Sequence, residues 1–170
     1  CAPGATARRG TTLEPDLAGR FPAALFFADE AHMETPAAMR FLLDAARGAG
    51  AEVVLGERVA DPTKLEGIVV DCRGLSARDD LGGLRAVRGE RVVVRARDVT
   101  LGRPVRLLHP RHPLYVVPWP GNVFMIGATV IESEDDGPAT LRSALELMGI
   151  AYALHPGFGE AEILEFGAGL

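Results

Sequence analysis

A mixed α/β and α+β fold is what this sequence predicts, and three observations predict it. Two short apolar runs without polar alternation, "EVVL" (52–55) and "GIVVDC" (67–72), follow a helix pattern and read as strands buried on both faces. Beyond Leu84 a series of short strand-like runs is separated by tight Pro, Gly and Asn breaks, the pattern of an antiparallel or mixed sheet. The chain has 170 residues, 48% of them apolar and 24% charged, enough to bury a core and too apolar for long disorder.

Residues 1–20 are rich in Gly, Arg and Pro and read as irregular. "AALFF" (23–27) is a short strand ended by the acidic pair Asp29 and Glu30. Thr35 as N-cap and Pro36 in the first turn open a helix with Met39, Leu42, Leu43 and Ala46 on one stripe, and Gly48 and Gly50 end it. Then come the two apolar runs, with Cys72 expected as a buried, unpaired thiol at the end of a central strand. "RVVVRARDV", "VRLLH", "LYVV", "VFMIGAT" and "AEILEF" supply the later strands. One helix, 138–153, interrupts them, with Leu141, Leu145 and Met148 at helical spacing.

The segment "HPLYVVPWPGNVFMIGAT" (112–129) has the length of a membrane span and almost no charge. Pro113, Pro118 and Pro120 would each break a spanning helix, and "PWPGN" is turn chemistry. A hairpin results, with strands over 114–117 and 123–128 and with Tyr115 and Val117 on one face. No membrane is expected as a partner. A net charge of −5 and a pI near 5.4 speak against nucleic acid as well.

Two cysteines, Cys1 and Cys72, cannot build a disulfide framework, and no secretory signal pattern is visible, so a reduced, cytoplasmic protein is expected. The start at Cys1 and the stop at Leu170 read as an interior piece of a longer protein. "GAGAEV" (48–53) and "GFGEAE" (157–162) fall short of a dinucleotide fingerprint, which must follow a strand and open a helix. His109 and His112 are kept off a helical face by Pro110 and Pro113, and "ESEDDG" (132–137) lacks calcium-loop spacing, so no metal site is expected. Ser76 and Ser143 have no His at telling spacing for a hydrolase triad. "IVVDCRGLSAR" (68–78) is stronger: an apolar strand ending in a small residue and Gly74 lets backbone approach a ligand, or else makes a tight strand-to-loop turn.

Taken in order, "IVVDCRGLSAR", "LRAVRGE" (84–90), "YVVPWPGNVFMIGAT" (115–129) and "FGAGL" (166–170) resemble the D-amino-acid oxidase family of flavoproteins. "LEPDLAGRF" (13–21) and the first helix resemble it too, so the likeness runs from about Thr12 to Leu170.

The resemblance implies an FAD-binding Rossmann-type layer joined to a substrate domain on a mixed sheet. It divides the chain into an entry segment and first strand (1–33), a remnant of the FAD layer (34–83) and the substrate-binding sheet (84–170). It implies FAD as cofactor, with Val59, Cys72, Arg73 and Gly74 on the cofactor side. The family's phosphate-binding glycine motif would lie upstream of Cys1, so these residues alone are expected to be inactive. On the substrate side it implies Tyr115 as hydrogen-bond donor to a substrate carboxylate and Val130 as a pocket wall. The arginine that pairs with that carboxylate would follow Leu170.

No catalytic acid or base is implied, because the flavin carries the chemistry. The expected reaction is oxidative deamination of glycine or a similar small amino acid or amine by molecular oxygen, giving an imine and hydrogen peroxide. A place in thiamine (thiazole) biosynthesis is implied, and a homo-oligomer is left open. Sarcosine or a D-amino acid is the alternative substrate. A non-catalytic binding module is the alternative from another class.

Overall fold

The structure is a computed structural model that describes residues 5–111 and 113–170, with Thr11 described by its backbone alone. Cys1 and His112 lie outside the described residues. The chain divides into two compact units: Met33–Arg85, and the stretch to His32 together with Ala86–Leu170.

The larger unit is built on an antiparallel sheet of five strands in the order β4-β5-β6-β3-β7. These are β3 (Gly89–Arg95), β4 (Val105–Leu107), β5 (Leu114–Trp119), β6 (Val123–Gly127) and β7 (Glu162–Gly169). The expected hairpin is β5–β6. Its turn places Gly121 (φ 79°) and Asn122 (φ 56°) in the left-handed region, which Gly adopts freely and Asn tolerates. β5 runs two residues past the expected end because Pro118 and Trp119 still pair with Phe124 and Val123.

Period-two alternation decides which face is covered. Val92, Val94, Leu114, Val116, Phe124 and Ile126 point to one side and are buried at 3% exposure or less. There they meet Leu147, Ala151 and Leu154 of helix α3 (Leu141–Leu154). Burying an aliphatic side chain of this kind contributes about 1.5–3 kcal/mol. Phe124 also meets Phe158 edge-to-face, ring centroids 5.5 Å apart. Thr140 caps α3, its hydroxyl accepting from the Ser143 N–H at 3.3 Å. The stripe expected from Leu141, Leu145 and Met148 is not the buried one. Leu141 and Leu145 are exposed, because the face toward the sheet is formed by Ser143, Ala144, Leu147, Ala151 and Leu154, whose smaller members allow close approach.

The N-terminal stretch is more regular than expected. β1 (Ala5–Arg9) pairs antiparallel with β2 (Ala23–Phe27), and helix α1 (Gly10–Leu13) and a 3₁₀ turn at Pro15–Leu17 join them. Two carboxylates of this connection hold the loop after β3. Glu14 Oε2 accepts from Gly102 N at 3.1 Å, and Asp16 Oδ2 accepts from Thr100 N at 2.7 Å. The Thr100 N–H, opposed by some burial and assisted by His155, keeps the Asp16 carboxyl below its ordinary value.

In the Met33–Arg85 unit, helix α2 (Thr35–Gly48) forms as expected, one residue longer at each end. Glu34 rather than Thr35 is its N-cap, and Gly50 (φ 88°) follows its C-terminus in the left-handed region. The runs 52–55 and 67–72 correct the expectation of buried strands. Neither forms a ladder among the described residues, and Leu55, Ile68 and Val70 are 75%, 98% and 79% exposed. Cys72 is exposed rather than buried. The reason is the same for all: a strand of this kind is covered by neighbouring strands and helices, and no described residue covers these.

Candidate functional site

The residues expected at the site fall in both units, and each group is described by itself. Tyr115 lies near the start of β5, half-buried, on the sheet face opposite α3. Its cross-strand partner is Gly127 of β6. A Cβ placed on Gly127 would stand 3.0 Å from the Tyr115 hydroxyl oxygen and 3.1 Å from Cζ. The phenol therefore sits close over Gly127, where a Cβ would crowd its outer end and oblige it to shift by a few tenths of an ångström.

The register extends this row across the sheet, from Arg106 through Tyr115, Gly127 and Arg91 to Gly167. Arg91 Nη2 donates to Glu165 Oε1 at 2.8 Å, and Arg106 is ion-paired with Glu30. Each cation of the row already has a carboxylate, so the phenol is the neutral donor between two compensated charges.

Val130 follows β6 and is 81% exposed, so its side chain projects from the sheet end. A cleft of about 240 Å³ runs beside it, with Arg111, Arg142 and Glu146 among its polar lining. A larger cleft, about 360 Å³, sits at the Trp119–Asn122 turn, the other end of the hairpin from Tyr115. The first borders Thr129 and Val130 just past the end of β6 and is closed on its other side by Arg142, Ser143, Glu146 and Leu147 of α3, so it lies on the α3 side of the sheet, away from Tyr115.

In the smaller unit, Val59 is 45% exposed in irregular backbone. Cys72, Arg73 and Gly74 form the entry to a 3₁₀ turn at Gly74–Ala77. Gly74 has φ +58° and open space where a side chain would be. Arg73 Nη2 donates to Asp71 Oδ2 at 2.7 Å and to Asp80 Oδ2 at 2.5 Å. These hydrogen bonds raise the guanidinium above its ordinary value, and the bonds from Arg73 lower Asp71. The guanidinium is thus committed to its own loop, and the backbone beside it at Cys72 and Gly74 is exposed.

No group of metal-ligating side chains occurs among the described residues. None of the described helices is long and apolar enough to cross a membrane. The sequence singles out Tyr115 as an expected site residue and not Gly127, although a hairpin closed by "PWPGN" brings the two opposite each other. Nor does it single out Arg88 and Glu90, which are 2% and 1% exposed.

The chain is similar to known proteins over nearly its whole length. The family model described as FAD dependent oxidoreductase (DAO) matches residues 5–170. A Rhizobium etli protein provisionally named thiamine biosynthesis oxidoreductase ThiO is 53% identical over 161 residues, covering 93% of this chain and 48% of that protein. The chain thus spans about half the length of the curated relative it matches. Three solved structures share the fold. They are the glycine oxidases of Geobacillus kaustophilus (TM-score 0.77, 24% identity) and Bacillus cereus (0.71, 23%) and the iminodiacetate oxidase of Chelativorans sp. BNC1 (0.69, 21%). Each comparison covers 98–99% of this chain and 51–52% of the other. The mixed α/β architecture with an antiparallel sheet is therefore that of these oxidases, and the chain belongs to the FAD-dependent oxidoreductase family.

Proposed function

We propose that the protein carrying this chain oxidises glycine, or a small amine close to it, with FAD and molecular oxygen, releasing hydrogen peroxide. The observation that carries this reading is Tyr115: a phenol close over Gly127 on the sheet face opposite α3, in a chain that matches the family over 5–170. FAD, when bound, would supply a hydride acceptor for the substrate's Cα–H and a route for the electrons to oxygen.

This chain's own residues bind and orient. Tyr115 donates its O–H to the substrate carboxylate, a hydrogen bond to a charged group with a net value of about 1.5–3 kcal/mol. Val130 walls the space beside the reacting carbon. Backbone at Val59 and at Cys72–Gly74 would hold the cofactor, while Arg73 braces its own loop through Asp71 and Asp80. The relative's name supports a place in thiamine biosynthesis, and we place the enzyme in the cytoplasm. Sarcosine and D-alanine belong to the same substrate class.

The test is purification of the full-length protein and assay of peroxide. A yellow protein with near-stoichiometric flavin and glycine-dependent peroxide is expected. A colourless protein, or a flavoprotein inert toward glycine, sarcosine and D-alanine, would overturn the reading and favour a binding module.

The cofactor side has its own test. The Cys72 thiol is exposed here, so it is expected to alkylate readily in the full-length apoprotein and at least about ten-fold more slowly once FAD is bound. Equal rates with and without FAD would remove Cys72–Gly74 from the cofactor surface.

A further inference from the structure

β3 carries an apolar stripe, Val92 and Val94, toward α3, and the same face continues to Glu90 and Arg88. A charged pair here is unexpected. Arg88 and Glu90 are 2% and 1% exposed, and Arg88 Nε donates to Glu90 Oε1 at 2.7 Å. Such a pair is weak support for stability, since an apolar pair of similar volume often does as well or better. What the pair does is therefore to be read from where its other atoms go.

They go to one segment, the chain between β6 and α3. Arg88 Nη2 donates to Pro138 O at 2.6 Å, and Nη1 donates to Asp135 O. Glu90 Oε2 accepts from Thr140 N at 2.8 Å and from Thr140 Oγ1 at 3.3 Å. The backbone of the same two residues grips the start of that segment. Arg88 and Ile131 exchange both backbone bonds, at 2.7 and 2.9 Å. Glu90 O accepts from Thr129 N at 3.1 Å, and Glu90 N donates to Thr129 Oγ1 at 2.9 Å. Val130 stands between two anchored neighbours with its side chain projecting outward.

We infer that the Arg88–Glu90 pair is a positioning device that holds Val130 at a fixed distance from the substrate and so sets how large a substrate the site accepts. The inference rests on the reading of Val130 as a pocket wall. It assigns Arg88, Glu90 and Thr129 no contact with substrate. They act through the backbone at 129–131. A wall set to exclude one methyl group discriminates by about 10–200-fold, and only when its position is fixed. Removing Thr129 Oγ1 leaves the Glu90 N–H without its acceptor and loosens the wall while Val130 itself is unchanged.

The experiment measures peroxide production with glycine, sarcosine and D-alanine in the full-length, FAD-loaded protein. In Thr129→Val the ratio of kcat/KM for glycine over the larger substrates is expected to fall about five- to ten-fold, mostly through KM. Flavin content is expected to stay unchanged, and Thr129→Ser, which keeps the acceptor, should restore the ratio. The double variant Arg88→Met with Glu90→Leu keeps the core filled and removes the grip on 135–140. It is expected to shift the ratio the same way, and it decides the matter if Thr129→Val fails to fold. A changed ratio in Val130→Phe with unchanged ratios in both brace variants overturns the positioning role and leaves the pocket wall standing. Unchanged ratios in all three overturn the pocket wall and the positioning role with it.

Discussion

Tyr115→Phe in the full-length protein is expected to lower kcat/KM for glycine about ten- to hundred-fold, the size of one charge-assisted hydrogen bond. The substitution removes one oxygen and leaves the ring that packs over Gly127. The other face of β5, Leu114 and Val116 against α3, is untouched. Melting temperature and flavin content should therefore hold while kinetics change. Unchanged kinetics would make Tyr115 a space-filling residue of the sheet. Gly127→Ala is the reciprocal probe, because its new Cβ would stand 3.0 Å from the same hydroxyl oxygen. It must push the phenol aside, and a comparable loss with the tyrosine still present would show that placement matters, and not the hydroxyl alone.

The second large effect is on stability. Glu90→Ala is expected to destabilise the protein by about 3–5 kcal/mol, because it leaves the Arg88 guanidinium buried without its carboxylate. It also strips Thr140, the cap of α3, of its acceptor at 2.8 Å. Glu90→Gln keeps the volume and one acceptor, so a smaller loss is expected, and denaturant melts of the two variants provide the comparison. The pair has a pH signature as well. Burial opposes ionisation of Glu90, yet the bonds from Arg88, Thr140 and Ser143 outweigh it and hold the carboxyl below its ordinary 4.5. A lowered folded-state value means that its contribution is fully present above the unfolded value. It is lost as pH falls through the folded one. Stability is thus expected to drop on acidification below about pH 4.5, and in Glu90→Gln that part of the drop should be smaller.

The sheet was legible in the sequence because each strand is a short apolar run between turn residues. The hairpin was legible in particular, since three prolines exclude a helix and "PWPGN" demands a turn. The faces of β5 followed from alternation alone, and Leu114 and Val116 are buried accordingly. Helix α3 was legible as a helix but not in its rotation. Leu141 and Leu145 form as good a stripe as Leu147 and Leu154, and the choice falls to Ala144 and Ala151, whose small size lets the helix approach the sheet. "EVVL" and "GIVVDC" show the opposite limit. An apolar run states that it wants cover, not where the cover is, and these two remain extended and exposed. Nothing local to Arg88 and Glu90 reveals that 135–140 folds over them.

Oxidation of glycine with Tyr115 on its carboxylate is tested most directly by mixing the FAD-loaded full-length protein with glycine under anaerobic conditions. Flavin absorbance is followed first, and oxygen is then admitted. The expected result is loss of the oxidised-flavin band with glycine and its return with stoichiometric peroxide on aeration. In Tyr115→Phe the glycine concentration needed for half the rate of bleaching should be distinctly higher. A band that neither glycine, sarcosine nor D-alanine bleaches, in protein with full flavin content, would contradict the account.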